Sequence, residues 1–212
     1  MNSKNARKSI AVKQRNIIIE AASICIQKQG LRGTTIADIA QLTKLGPGQI
    51  YRCFRNKIEI IEEIVQRSVV RQIHEMASIN LDFELMTQIL SGRELSETPQ
   101  MVDDNTLILE LKIEAMHNPR IAKVLQSADA QLMKENCRLI KMHYPLLDDV
   151  HIEALGETLA VLMEGSLLRN PFRQIRLRSH KNLQHIYLLL LNRIFEDWRD
   201  GITGLSNVDT AD

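Results

Sequence analysis

Between Thr34 and Lys57 the chain reads TTIADIAQLTKLGPGQIYRCFRNK, and the side chains there that can do chemistry suit the surface of a duplex. Gly48 leaves room for the backbone to approach closely. Gln49 carries the amide that pairs with an adenine edge, and Arg52 the guanidinium that pairs with a guanine edge. The Tyr51 hydroxyl suits a phosphate oxygen. Ile50, Cys53 and Phe54 share the opposite face by the i, i+3, i+4 rule, which turns Gly48, Gln49 and Arg52 outward with Tyr51 at the margin.

These residues need short, well-started helices to hold them. Thr35 followed by Asp38 is a capping box, a hydroxyl for an orphan amide and a carboxylate that reaches back. Asn56 followed by Glu59 repeats the device, and between them Gly46-Pro47 opens a helix, since proline at the first helical position loses no hydrogen bond. The reading is therefore a helix over about 36–42, a tight turn and a helix over about 47–54, whose second member is shaped for a major groove. Ahead of them a helix over about 10–29 buries Ile18, Ala21, Ala22, Cys25 and Ile26 and stops at Gly30, with residues 1–9 expected as a polar arm.

Charge supports a polyanion partner at this end. Residues 1–57 hold eleven Lys and Arg against two acids, a balance of +9, while the remainder holds 16 basic against 24 acidic residues, −8. Phosphates attract the first part and repel the second. Cys25, Cys53 and Cys137 are odd in number and never in CxxC spacing, so neither a disulfide framework nor a zinc site is expected. The six histidines show no HxxxH spacing, and no P-loop, glycine-rich nucleotide motif or nucleophile elbow occurs, so no cofactor, no metal and no enzyme chemistry are expected. With no apolar run near the roughly 20 residues of a membrane span, the expectation is a cytoplasmic protein without membrane contact.

Composition is that of a helical protein: Leu, Ile, Ala, Glu, Lys and Gln are plentiful while aromatics are 4% of 212 residues. Past Lys57 a long helix carries Ile58, Ile61, Val65, Val69, Ile73 and Met76 at helical spacing. Further helices are expected over 83–90, 104–117, 119–143, 150–168 and 180–199, with loops at 91–100 and around Asn170-Pro171. Ile186 to Leu191 is apolar at six consecutive positions, so that segment is expected to be covered on one side by the core and on the other by a second subunit. Glu114 falls beside the stripe of Leu107, Leu111 and Ala115, which makes it a candidate inward carboxylate for a cationic or polar ligand, the other reading being a solvated or locally paired glutamate. Seven of the eight methionines lie between Met76 and Met163, and such adaptable side chains suit a pocket as well as a core.

The N-terminal motif resembles the DNA-binding domain of the tetracycline-repressor (TetR) family of bacterial regulators, through Thr34, Thr35, Ile39, Ala40, Gly48, Ile50, Tyr51, Phe54 and Lys57. The resemblance implies an all-α fold: a helix-turn-helix domain over 1–57, a larger helical ligand-binding and dimerisation domain over 58–200, and a tail over 201–212. It places Thr35, Ile36, Tyr51 and Lys57 on phosphates and Leu45, Gly46, Pro47, Gly48, Gln49 and Arg52 along the bases. Where the family has a turn glycine this chain has Lys44, expected in a conformation glycine adopts more readily and within reach of a phosphate. Gly46 stands where the family has a capping hydroxyl.

The implied function is a repressor on a palindromic operator, released by a small molecule. The implied dimer is a four-helix bundle, for which Leu155, Leu159, Met163, Ile186, Leu190 and Ile194 are the candidate interface. Leu107, Leu111, Glu114, Met133 and Met163 are the candidate ligand set. The other reading is a protein of the same fold that acts through a protein partner, as in division or nucleoid control, without small-molecule induction.

Overall fold

The computed structural model describes residues 3–92, 99–169 and 177–199, and among them every regular element is a helix. In chain order these are α1 (Ser3–Gly33), α2 (Ile36–Thr43), α3 (Pro47–Cys53), α4 (Lys57–Ile79), α5 (Phe83–Leu90), α6 (Pro99–Ala115), α7 (Pro119–His143), α8 (Asp149–Arg169) and α9 (Leu177–Arg199). The expected start signals act where they were read, with Pro47 and Pro119 each the first residue of a helix. Three expectations shift. The polar arm is helical from Ser3, α6 begins at Pro99, before the expected residue 104, and α9 begins at Leu177, before the expected residue 180. The loop around Asn170-Pro171 and the tail over 201–212 lie outside the described residues.

Packing divides the chain into two compact units, Met1–Gln72 with Glu97–Leu132, and Ile73–Ser96 with Met133–Asp212. This differs from the division at residue 57 that the resemblance implies. The reason is α6, which packs against α1 and so joins the N-terminal helices.

In the first unit the apolar face of α1 is the common wall. Ile18, Ala22 and Ile26 are at most 1% exposed, and Ile39 of α2, Ile50 of α3, Ile61 of α4 and Leu107 and Leu111 of α6 are buried in the same unit. A side chain that local patterning did not single out ties three of these helices. Arg15 of α1 donates to the Cys53 carbonyl at the end of α3 (2.7 Å) and to Glu63 of α4 (2.8 Å), with its guanidinium 4.1 Å from the Phe54 ring centre. Arg67 completes the group, donating to Glu63 and to Asn16.

The second unit has its own core of Met86, Leu90, Ile140, Leu147, Ile152, Leu155, Leu159, Leu191 and Phe195. Phe83 and Tyr144 lie with ring centres 4.9 and 5.1 Å from that of Phe195. Close approach of α7 and α8 depends on Gly156: a Cβ there would sit 3.0 Å from the Met133 sulfur, and the Gly156 carbonyl accepts from Asn136 at 2.9 Å. Ser166 donates to the Leu90 carbonyl (2.9 Å), satisfying the end of α5.

Hydrogen bonds from Arg15, then those from Arg67, hold the Glu63 carboxyl below its usual range against the opposing effect of burial. A depressed folded pKa means the stabilisation is complete above the ordinary glutamate range and is lost as pH falls through the lowered folded value. Arg15→Met is expected to cost about 1–2 kcal/mol, since the pair is a third exposed and only the carbonyl bond and ring contact add to it. Urea denaturation at neutral pH measures that loss. Repeating it at descending pH should show a shallower acid decline for the variant than for the wild type.

Candidate nucleic-acid interface

The corner that leads into α2 is set by Gly30. Its φ of 73° and ψ of 166° break the regular helix of α1, a conformation that glycine adopts without a Cβ clash. Thr34, 1% exposed, closes the corner by donating its N–H (3.2 Å) and its hydroxyl (2.9 Å) to the Gly30 carbonyl. Thr35 then caps α2 in extended geometry, accepting from the Asp38 N–H (3.2 Å) while Asp38 accepts from the Thr35 N–H (2.7 Å). Hydrogen bonds from the Thr35 side chain and backbone lower the Asp38 pKa, so the box keeps its charge. Thr35 is exposed and Ile36 half-buried at the first turn of α2.

The turn between α2 and α3 is held by hydroxyl and amide bonds. Thr43 donates to the Ile39 carbonyl and accepts from the Leu45 N–H at 3.3 Å. Lys44 sits in the left-handed region at φ 57°, as the missing turn glycine implied, with its side chain exposed. Gly46 has no side chain to cap α3, and Gln49 compensates: its amide oxygen accepts from the Gly46 N–H at 2.9 Å. Before Gln49 could use that oxygen on a base, it would have to release the cap. The second expected capping box is also modified. Asn56 accepts from the Glu59 N–H (3.0 Å), but the Glu59 carboxylate reaches Arg55 N–H (2.7 Å).

The outward face of α3 is open. Pro47, Gly48, Tyr51 and Arg52 are exposed, Tyr51 by 54%, and among the described residues no atom other than those of Gly48, its chain neighbours and the backbone of its own helix lies within 4 Å of where a Gly48 Cβ would be. Ile50 and Phe54 are buried and Cys53 half-buried, as the helical spacing required. Burial raises the Cys25 thiol pKa, which fits a core side chain and not a nucleophile.

Lys57 is placed differently from the phosphate contact implied by resemblance. Its ammonium turns inward and donates to the carbonyls of Leu31 (2.7 Å) and Thr34 (2.9 Å). Glu114 is also committed: it pairs with Arg32 at 2.8 Å, with its own side chain only 15% exposed. That pairing replaces the free inward carboxylate expected for a ligand. Leu107 and Leu111, 1% and 0% exposed, are core of the first unit, whereas Met133 and Met163 belong to the second, so no unit holds the whole candidate ligand set.

The candidate dimer residues separate by face. Leu155 and Leu159 are 4% exposed in the second unit's core, and Met163 and Ile194 pack against it. Leu155 and Leu159 thus make their apolar contacts within the chain, while Met163 and Ile194 stay half-buried at the edge of that core. Ile186 and Leu190 are 58% and 40% exposed, together with Leu189 on α9 and Val161 and Leu168 on α8. Arg15, the Arg32–Glu114 pair and the inward Lys57 had no local signature, because their partners lie 23 to 82 positions away in sequence.

Residues 18–64 match the model of the tetR family of bacterial regulatory proteins. The HTH-type transcriptional regulator TtgR of Pseudomonas putida is 41% identical over 58 residues, 27% of this chain and 28% of TtgR. The match thus spans little more than a quarter of that relative. Over most of the chain the fold is similar to that of Salmonella enterica GusR, with a TM-score of 0.68 at 18% identity, covering 86% of this chain and 95% of GusR. A transcriptional regulator from Saccharomonospora viridis in complex with choline has a TM-score of 0.60 at 22% identity, covering 87% of this chain and 96% of its own.

The left-handed Lys44 carries a local cost that glycine would relieve. Lys44→Gly is expected to stabilise the protein by about 0.5–1 kcal/mol, net of the greater freedom of glycine in the unfolded chain. Paired thermal and urea melts measure it, and a loss of stability would show that the Lys44 side chain makes a compensating contact.

Proposed function

We propose that this chain, whose residues 18–64 match the model of the tetR family of bacterial regulatory proteins, is a sequence-specific DNA-binding transcriptional regulator, a repressor released by a small molecule. The observation that carries the reading is the open face of α3: Gly48, Tyr51 and Arg52 exposed beside the capped start of α2, on a segment of charge +9. With α3 in a major groove, Tyr51 meets a phosphate and Arg52 a guanine edge. Thr35 and Ile36 present the α2 amides to the backbone, whose negative charge favours a helix N-terminus. Lys44, Leu45, Gly46, Pro47 and Gln49 line the same approach.

A dimer on a palindromic site follows from the exposed apolar residues of α8 and α9. Ile186, Leu189, Leu190, Val161 and Leu168 give a second copy an apolar surface to cover, whereas Leu155 and Leu159 are already used in the core. For the ligand, the first unit offers an open groove of about 570 Å³ between α4 and α7, floored by Ile58, Val65, Val124 and Ala128. Its size is in the range of small-molecule sites. The choline bound by the Saccharomonospora viridis protein shows that this fold can hold a small molecule in that relative. A ligand acts only through its different affinity for the DNA-bound and released states.

Binding to fragments from the region around the chain's own gene tests the proposal. Tyr51→Ala is expected to weaken the complex about tenfold, the value of one lost phosphate hydrogen bond of about 1–1.5 kcal/mol. Arg52→Ala should relax discrimination at a single operator position by about 1–3 kcal/mol, and unchanged relative affinities for mutated operators would remove base readout by Arg52. Sedimentation should report a dimer at micromolar concentration and a monomer for Leu190→Glu. A wild-type monomer would end the palindrome argument.

A further inference from the structure

The α1–α2 corner is held from two sides within the first unit. A helix end that bends at Gly30 leaves carbonyls without helical partners, and those of Leu31 and Thr34 are both taken by the ammonium of Lys57, the first residue of α4. From α6, Glu114 pairs with Arg32 (2.8 Å), and the Glu110 carboxylate lies 2.9 Å from where a Gly30 Cβ would be. The Glu114 charge also favours the charged form of Lys57, offsetting in part the burial that disfavours it.

We propose that Lys57 serves DNA recognition as a positioning residue: its ammonium locks the α1–α2 corner so that Thr35 and the α2 amides face the phosphate backbone, and it does not itself ligate phosphate. An ammonium has three donors, and two are spent here at 2.7 and 2.9 Å. Turning outward would break two charge-assisted bonds and strand two carbonyls. Because Glu114 belongs to α6, any movement of that helix changes the charge facing the corner. The inference rests on the DNA-binding reading above, and not on the ligand or the dimer.

The salt dependence of binding separates positioning from phosphate contact. Each cation that neutralises a phosphate contributes about 0.9 to the slope of log affinity against log salt. Lys57→Met, which keeps the apolar stem, is expected to lower affinity about tenfold with the wild-type slope, measured where circular dichroism shows both proteins fully folded. A slope shallower by about 0.9, or an unchanged affinity, would overturn the proposal.

Lysine acetylation of the wild type, read by mass spectrometry, gives a second test that needs no variant to fold. In the DNA-free protein Lys57 should label at least tenfold more slowly than the exposed Lys28 and Lys44, and DNA should add no protection at Lys57. Labelling of Lys57 as fast as Lys28, slowed only by DNA, would overturn the clamp. If the wild type bound no DNA, the regulator reading would fall, and a fast-labelling Lys57 in the free protein would refute the clamp on its own.

Discussion

Burial of the apolar stripe of α1 is the constraint on which the N-terminal unit depends. Ile18, Ala22 and Ile26 turn one face of a long helix into a wall, and the short helices α2 and α3 have too few residues to be stable without one. Their own buried residues are few: Ile39 and Ala40 in α2, Ile50 in α3. Two short helices that each bury so little can be held in a defined orientation only if their ends are also fixed, and the polar contacts of this unit are concentrated at those ends. Thr34 and Thr35 fix the start of α2, Thr43 its end, Gln49 the start of α3, and Arg15 its last carbonyl.

That arrangement reconciles two demands on a reading surface. The outward residues must stay free of internal partners, while the backbone that carries them must not move. Tyr51, Arg52 and Gly48 meet the first demand, and the capping contacts meet the second. Gln49 lies between the two, since the amide that could read a base is the one that caps its own helix. Lys57 has gone wholly to the side of rigidity. The same residue type at the surface would add charge, whereas turned inward it holds a corner.

Much of this is legible in the sequence alone. The limits of α2, α3, α5 and α7 follow from caps, prolines and helical spacing, all of which act within four residues and are therefore written locally. The exposed face of α3 was legible for the same reason. The grouping of α6 with α1 was not, because a helix with an apolar stripe reveals that it is buried but not against what. Leu155 and Leu159 illustrate the limit on α8: their spacing marks a buried face, and core and subunit interface look alike in sequence.

The sequence by itself determined that this is a helical chain with a basic, helix-turn-helix end, since periodicity, capping and charge are properties of neighbouring residues. Only the tertiary structure decided which charged side chains are free for a partner. Lys57 and Arg52 are equally basic in the sequence, yet one ammonium is spent on carbonyls 23 and 26 positions away and the other side chain stands exposed. Glu114, which by pattern suited a ligand, is spent on Arg32 across 82 positions. Pairings at such separations depend on how helices meet in space, and no local rule encodes that meeting.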